Sequence, residues 1–269
     1  MYMKRIWKAG KTIDVMKSYL FPCQLVDGKL SKVSRKKKSR PTPEQMRKYN
    51  QTQREREIIR IANANFAEGD LYLTLKYAKG FRPTVEQAKQ DKLRFLRALR
   101  DYCRKHGIRF KYIFTTEIGE RGGIHHHMIL GAMDVQVVER LWKRVTANHG
   151  NIHFEFLYGN DFSRLAKYFV GERCTDLSEP KEDSGCKESS KKKRYSTSQG
   201  LVRPKASKPK KIPANSWREE PTAPKGYYVD QDSIYTGINP VTGYGYQFYR
   251  LIQLEPQTPA GRRRMGKDV

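Results

Sequence analysis

His125, His126 and His127 stand together inside a short, mostly apolar run, Ile124 to Leu130. Successive side chains of an extended chain point to opposite faces, so His125 and His127 share one face and His126 takes the other. Ile124, Met128 and Leu130 accompany His126, which marks its side as the core and turns His125 and His127 outward. Eight positions before His125 stands Glu117, at the end of a second alternating run from Lys111. The intervening Gly119-Glu120-Arg121-Gly122-Gly123 suits a hairpin whose loop is Glu120, Arg121 and Gly122, with Gly122 free to take positive φ. That register pairs Gly119 with Gly123 and sets Glu117 across from His125, where paired Cβ atoms are about 4.5–5.5 Å apart. Two imidazoles and a carboxylate so placed suit a divalent ion, Mg²⁺ or Mn²⁺, with open positions from which it would polarise a phosphate. An incidental histidine run on an exposed strand gives the same letters but offers no reason for the position of Glu117.

A grip on phosphate calls for a nucleophile. Tyr168 lies in Ser163-Arg164-Leu165-Ala166-Lys167-Tyr168-Phe169-Val170-Gly171-Glu172, expected as a short helix over about 161–172. A tyrosine nucleophile forms a covalent phosphodiester that conserves the energy of the broken bond. Leu165 and Phe169 form a stripe that anchors this helix, and Arg164 or Lys167 is placed to hold phosphate or stabilise a phenolate. A tyrosine on a helix is ordinarily a packing residue; its position one element after the histidine strand is what raises the catalytic reading.

The elements that must position these groups are legible from pattern. Thr42-Pro43-Glu44-Gln45 has the capping-box form and opens a helix to about Phe66. Leu71 to Tyr77 alternates strictly, with the leucines on one face and Tyr72, Thr74 and Lys76 on the other. Pro83 to His106 has helical spacing and stops at Gly107, Asp134 caps another helix that runs toward Gly150, and Ile152 to Leu157 reads as a strand. The order strand, helix, strand, strand, helix, strand predicts an α+β fold with an antiparallel sheet and a ferredoxin-like, RRM-like βαββαβ core. Its helices are expected on one face, with an added N-terminal helix and a C-terminal β-hairpin around Asn239-Pro240-Val241-Thr242-Gly243. The expected division is a basic N-terminal arm over 1–42, a domain over 43–175 that holds the histidines and Tyr168, a basic linker over 176–222, the hairpin over 223–256 and a basic tail over 257–269.

Charge points to the partner. Lys and Arg number 54 against 28 Asp and Glu, a formal charge of +26 that needs a polyanion. Nucleic acid fits; a membrane does not, because no apolar stretch approaches the roughly 18–20 residues of a span. Met1 to Phe21 mixes charges into every apolar stretch and has no secretory character, so the cytoplasm is the expected location. Cys23, Cys103, Cys174 and Cys186 lack paired spacing and are expected to stay reduced. Arg35, Lys36, Lys37 and Lys38, together with Lys191, Lys192, Lys193 and Arg194, are expected to follow DNA phosphates, as is Lys76 beside the site. Tyr72, Phe81 and the hairpin tyrosines are candidates for stacking on bases.

Leu73-Thr74-Leu75-Lys76-Tyr77, Ile124-His125-His126-His127-Met128 and Ala166-Lys167-Tyr168, in that order, resemble the three motifs of the HUH endonuclease superfamily over roughly residues 43–175. Within it the chain is most similar to single-tyrosine replication initiators of bacterial plasmids and phages, relatives of the Rep proteins of circular single-stranded DNA viruses. The resemblance implies attack by Tyr168 on single-stranded DNA or an extruded origin hairpin, a 5′-phosphotyrosine link and a free 3′-OH. It also implies rejoining of the strand, reliance on a host helicase and a host DNA polymerase, and hence rolling-circle replication. Gly171 stands where many relatives carry a lysine three residues after the tyrosine, so the basic group that assists is left open. No G-x-x-x-x-G-K-[ST] sequence occurs, which assigns unwinding to the host. A single-tyrosine transposase or a relaxase shares this chemistry, although relaxases place their histidines after the tyrosine. A non-enzymatic nucleic-acid binder with an RRM-like sheet accounts for fold and charge and leaves Glu117, His125 and His127 unexplained.

Overall fold

The computed structural model describes residues 1–27, 29–33, 40–171, 173–177 and 194–254. Among the described residues twelve strands form two antiparallel sheets, accompanied by four α-helices, the α+β class expected. No helix among the described residues is long and apolar enough to cross a membrane.

The sheet that carries the histidines contains β4 (Leu71–Tyr77), β5 (Tyr112–Ile118), β6 (Ile124–Leu130) and β7 (Gly150–Phe156). Their spatial order is β7-β4-β6-β5, which in order along the core is 4-1-3-2, the ferredoxin-like arrangement. Two-residue strands β8 (Cys174–Thr175) and β9 (Ser196–Thr197) extend the β5 side. Between the core strands run α2 (Val85–Lys105), with a Thr84–Gln87 capping box, and α3 (Val135–Val145), whose first turn is capped by Asp134. Their apolar stripes pack Phe95, Leu99, Val138 and Trp142 against Leu71, Leu73, Leu75, Phe114, Met128 and Leu130 on one sheet face. Trp142 is wholly buried and its indole N–H donates to the Lys76 carbonyl, so it joins α3 to β4 by packing and by a directed bond.

The opposite face is not left bare. α1 (Pro43–Asn65) has the anticipated Thr42–Gln45 capping box and ends at Phe66. It lays Ile58, Ile61 and Ala62 over Tyr72, Ile113 and Ile129, joined by Phe162, Phe169 and Val170 from the tyrosine segment. Helices therefore pack on both faces of this sheet, where a single covered face was expected. The reason is apolar area: Tyr72, Ile113 and Ile129 lie on the histidine side and need burial, and strand alternation does not reveal which element supplies it.

The second sheet was not anticipated. β1 (Tyr2–Ala9), β2 (Thr12–Val26), β3 (Lys29–Lys32), β10 (Lys210–Ile212), β11 (Tyr227–Ile238) and β12 (Tyr244–Gln253) form it, in the order β10-β1-β2-β12-β11 with β3 on β2. Most of the expected basic arm is thus strand. Its lysines and arginines are interspersed with Ile6, Ile13, Val15 and Tyr19, and the order comes from pairing β2 to β12, more than 200 positions away. The expected C-terminal hairpin forms, with Gly243 at φ 72° in its turn, and is an outer pair of this sheet. The expected linker is partly strand as well, since β9 pairs with β5 and β10 with β1. Arg35 to Lys38 and Lys191 to Lys193 lie outside the described residues.

α1 lies between the sheets and is tied to both. Arg60 Nε donates to Asp14 (2.7 Å), Arg250 Nε donates to the other Asp14 oxygen (2.9 Å), and Asn63 Nδ2 donates to Thr12 (3.1 Å) and Asp161 (2.6 Å). The turn between β1 and β2 fits against α1 so closely that a Cβ on Gly10 would lie 2.0 Å from the Asn63 carbonyl oxygen.

Candidate metal and tyrosine site

The β5–β6 hairpin has the expected register. Gly119 N–H donates to Gly123 O (2.8 Å), Gly122 has φ 74°, and Glu117 pairs with His125 and Thr115 with His127. Strand alternation then sends Glu117, His125 and His127 to one face. His125 Nε2 lies 3.1 Å and His127 Nε2 3.3 Å from the same oxygen, Glu117 Oε2. The three ligand-capable atoms fall within 4.8 Å of one another, a candidate metal-binding triad. His125 and Glu117 are about one-third exposed, whereas His127 is 6% exposed at its side chain, so the triad has a wet side and a dry side.

A carboxylate only accepts hydrogen bonds, so each Nε2–H donates to Glu117, and His127 Nδ1 accepts from the Tyr72 hydroxyl at 2.8 Å. Burial, then the neighbouring His125, lowers the His127 pKa, which keeps this imidazole neutral and able to offer a lone pair. Burial raises the Tyr72 pKa, so its hydroxyl keeps its proton. Tyr72 had been a candidate for stacking on bases. It is 5% exposed and packed between His127 and Phe169, which removes it from that role.

On the reverse face His126 is fully buried. Its ring lies against Trp142 and Phe114, its Nδ1 is 2.8 Å from Thr116 Oγ1, and its Nε2 is 3.3 Å from the Tyr77 hydroxyl. Burial lowers its pKa to about 3, with buried Lys92 the next cause. The bulky residue between the outward histidines is therefore a core anchor that fixes the strand's rotation.

Tyr168 is placed by a segment shorter than the helix expected: a 3-10 turn, Ser163–Leu165, followed by the single-turn α4, Lys167–Val170. Phe169 and Val170 are buried in the α1 cluster, with Leu165 packed against it, and Tyr168 is left half-buried on the site side. Its ring centroid is 5.3 Å from that of His127 and 5.6 Å from that of Tyr72. Lys167 Nζ is 5.1 Å from the Tyr168 ring, Arg164 is exposed on the same segment, and exposed Lys76 lies on β4, two residues beyond Thr74, the cross-strand partner of His127. Arg194 is half-buried, with its guanidinium donating to the carbonyls of Gly171 and Cys174, so it fastens the chain that follows Tyr168.

Sequence reasoning did not find three contributors. Tyr72 orients His127; Cys174, a buried free thiol whose pKa burial raises, pairs with Glu117 across β5 and β8 and donates to the Tyr168 carbonyl. Asn63 accepts from Phe162 N–H (2.9 Å) and so holds the start of the tyrosine segment. For Tyr72 a signal existed, since alternation puts it on the same face as Thr74; for the other two, the partners are set by pairings between distant segments. Cys23 and Cys103 are also buried and free, and Cys186 lies outside the described residues.

Searches among curated proteins and among solved structures give no match to this chain. Residues 70–172, the span from β4 through the tyrosine segment, match a family of replication-associated proteins, the ORF2 type, and in that span the chain is similar to proteins associated with replication.

Proposed function

We propose that this protein is a metal-dependent DNA nickase and strand transferase that initiates rolling-circle replication, with Tyr168 as its nucleophile. One observation carries the reading: a half-buried phenol whose ring lies 5.3 Å from an imidazole that itself belongs to a two-histidine, one-carboxylate cluster. The match of residues 70–172 to replication-associated proteins supports replication over transposition or conjugation as the setting.

The donor set fits a divalent cation. Glu117, His125 and His127 converge on one point from one face, His127 is held neutral, and the exposed edges of His125 and Glu117 leave room for water or phosphate oxygen. Two imidazoles favour Mn²⁺ over Mg²⁺, which prefers oxygen donors, and carboxylate suits either. Once bound, the ion supplies Lewis-acid polarisation of the scissile phosphate.

The chain's own groups do the rest. Tyr168 loses its phenolic proton and attacks phosphorus; the P–O3′ bond breaks, the 3′ oxygen takes up a proton, and the 5′ phosphate is joined to the tyrosine oxygen. Reversal by a 3′-OH rejoins the strand, because the phosphotyrosine is itself a phosphodiester. Lys167 and Arg164 place positive charge beside the phenol and Lys76 places it across the site, where each favours phenolate and phosphate together. Single-stranded DNA or an extruded origin hairpin is the expected substrate, with a host helicase and polymerase completing replication.

The test compares the wild-type chain with Tyr168→Phe on end-labelled single-stranded DNA carrying candidate hairpins, with Mn²⁺ or Mg²⁺. A covalent protein–DNA adduct resistant to denaturant is expected for the wild type alone and lost with chelator. An adduct that survives in Tyr168→Phe would remove Tyr168 from the role, and cleavage without any adduct would remove the mechanism.

A further inference from the structure

A cavity of about 630 Å³ lies far from the histidines in sequence, between the first half of α1 and the β11–β12 turn. That volume falls in the range of small-ligand pockets, roughly 300–1,000 Å³. Its lining includes Arg56, Lys48, Tyr49, Asn239, Tyr235 and Tyr246 and, among the described residues, contains no aspartate or glutamate.

Arg56 is the unusual member. It is 6% exposed, and its guanidinium carbon lies 3.7 Å from the centroid of Phe248, with Tyr246 and Tyr235 at 5.8 and 6.0 Å. Among the described residues no carboxylate lies within ion-pair distance of it. Its nearest acidic partner is the Tyr246 hydroxyl, which hydrogen-bonds to it without carrying charge, and the carboxylate nearest in effect, Asp14, has one oxygen committed to Arg60 and the other to Arg250. Burial lowers the Arg56 pKa, the mark of a desolvated cation, yet arginine keeps its charge. Aromatic faces offset part of this cost, and a buried charge without a counter-ion is otherwise unfavourable. The cavity at Arg56 therefore favours an anion over a neutral ligand.

The walls say which kind of anion. The Tyr235 ring is half exposed, and the apolar Ile238, Pro240 and Val241 face the same space. The Tyr49 hydroxyl accepts from Asn239 Nδ2 (3.4 Å), which ties α1 to the turn across the cavity. A compact anion joined to a flat, partly apolar ring uses both features; an inorganic ion uses only one. We infer that this cavity binds a nucleotide, its phosphate on Arg56 and its base against Tyr235, either free or as one unit of a DNA strand.

The full-length Tyr168→Phe chain separates this question from nicking, because it tests binding where no covalent chemistry is expected. Equilibrium dialysis with a labelled deoxynucleoside monophosphate, with inorganic phosphate, and with a short single-stranded oligonucleotide is compared in that background and with Arg56→Gln or Val241→Trp added. Val241 is 51% exposed at the rim, so its enlargement blocks the mouth without disturbing the aromatic cage should Arg56→Gln fail to fold. Expected is saturable binding of the monophosphate or of the oligonucleotide, weakened at least about tenfold by either variant and weakened further by salt. A monophosphate effect identifies the free nucleotide as ligand, and an effect confined to the oligonucleotide identifies a unit of the strand. Binding by neither, binding unchanged in Val241→Trp, or saturable monophosphate binding that inorganic phosphate matches in affinity would overturn the inference and leave the adduct test untouched.

Discussion

The Tyr72 hydroxyl lies 2.8 Å from Nδ1 of His127, on the side of the imidazole away from Glu117. Ligation of a metal through Nε2 requires the proton to reside on Nδ1, and Tyr72 is then the acceptor that holds it there. Tyr72 sits on β4 and His127 on β6, so this bond joins neighbouring strands beneath the candidate site. Removing the hydroxyl while keeping the ring, as in Tyr72→Phe, should leave the fold intact and weaken Mn²⁺ binding by about 10–100-fold, the usual cost of a lost outer partner. Calorimetric titration of the variant with Mn²⁺ measures this, and an unchanged affinity would remove Tyr72 from the site.

His126 gives the protein a pH dependence of known sign. Its folded pKa, about 3, lies below the ordinary value of 6.5, so the unfolded chain binds more protons between these values. Stability from this residue is full above about pH 6.5 and falls as pH drops toward 3, by a total on the order of 5 kcal/mol. His126→Gln, which does not titrate, should be less stable at neutral pH and show a shallower loss on acidification. Urea unfolding at pH 7 and pH 5 checks it; equal slopes in both proteins would contradict the assignment.

Asp14 accepts from Arg60 and Arg250 while itself 1% exposed. Asp14→Asn would leave two arginines short of their carboxylate in a buried setting. Breaking a buried pair in this way costs about 3–5 kcal/mol. Thermal melts should show a large loss of stability even though the substitution is isosteric, and a shift within the error of the melt would mean that the network contributes nothing.

Gly10 takes φ 57° where β1 turns into β2, and a Cβ there meets the Asn63 backbone oxygen at 2.0 Å. Gly10→Ala therefore adds the cost of a left-handed residue, about 1–2 kcal/mol, to a clash with a helix backbone that cannot swing aside. Because Asn63 also holds Asp161 and Phe162 at the start of the tyrosine segment, the expected outcome is lower stability together with a reduced yield of covalent adduct. Comparison with Gly122→Ala, which has positive φ and open space around it, isolates the contribution of the clash.

The amino-acid sequence by itself determined the ferredoxin-like core and most of the candidate site. Period-two alternation sets faces, glycine spacing sets the hairpin register, and both act within about ten residues, so Glu117, His125 and His127 were legible together and His126 was legible as core. Capping boxes at Thr42 and Thr84 fixed two helix starts for the same local reason. Tertiary structure alone decided which elements cover the histidine face, how β2 finds β12, and why a basic N-terminal stretch is sheet rather than arm. It also decided that Tyr72 supports His127 instead of meeting a base, and that Arg56 packs against aromatic rings at the wall of a cavity. These outcomes depend on apolar area and charge brought together from segments tens to hundreds of residues apart, where burial and pairing outweigh the local preferences that a sequence window records.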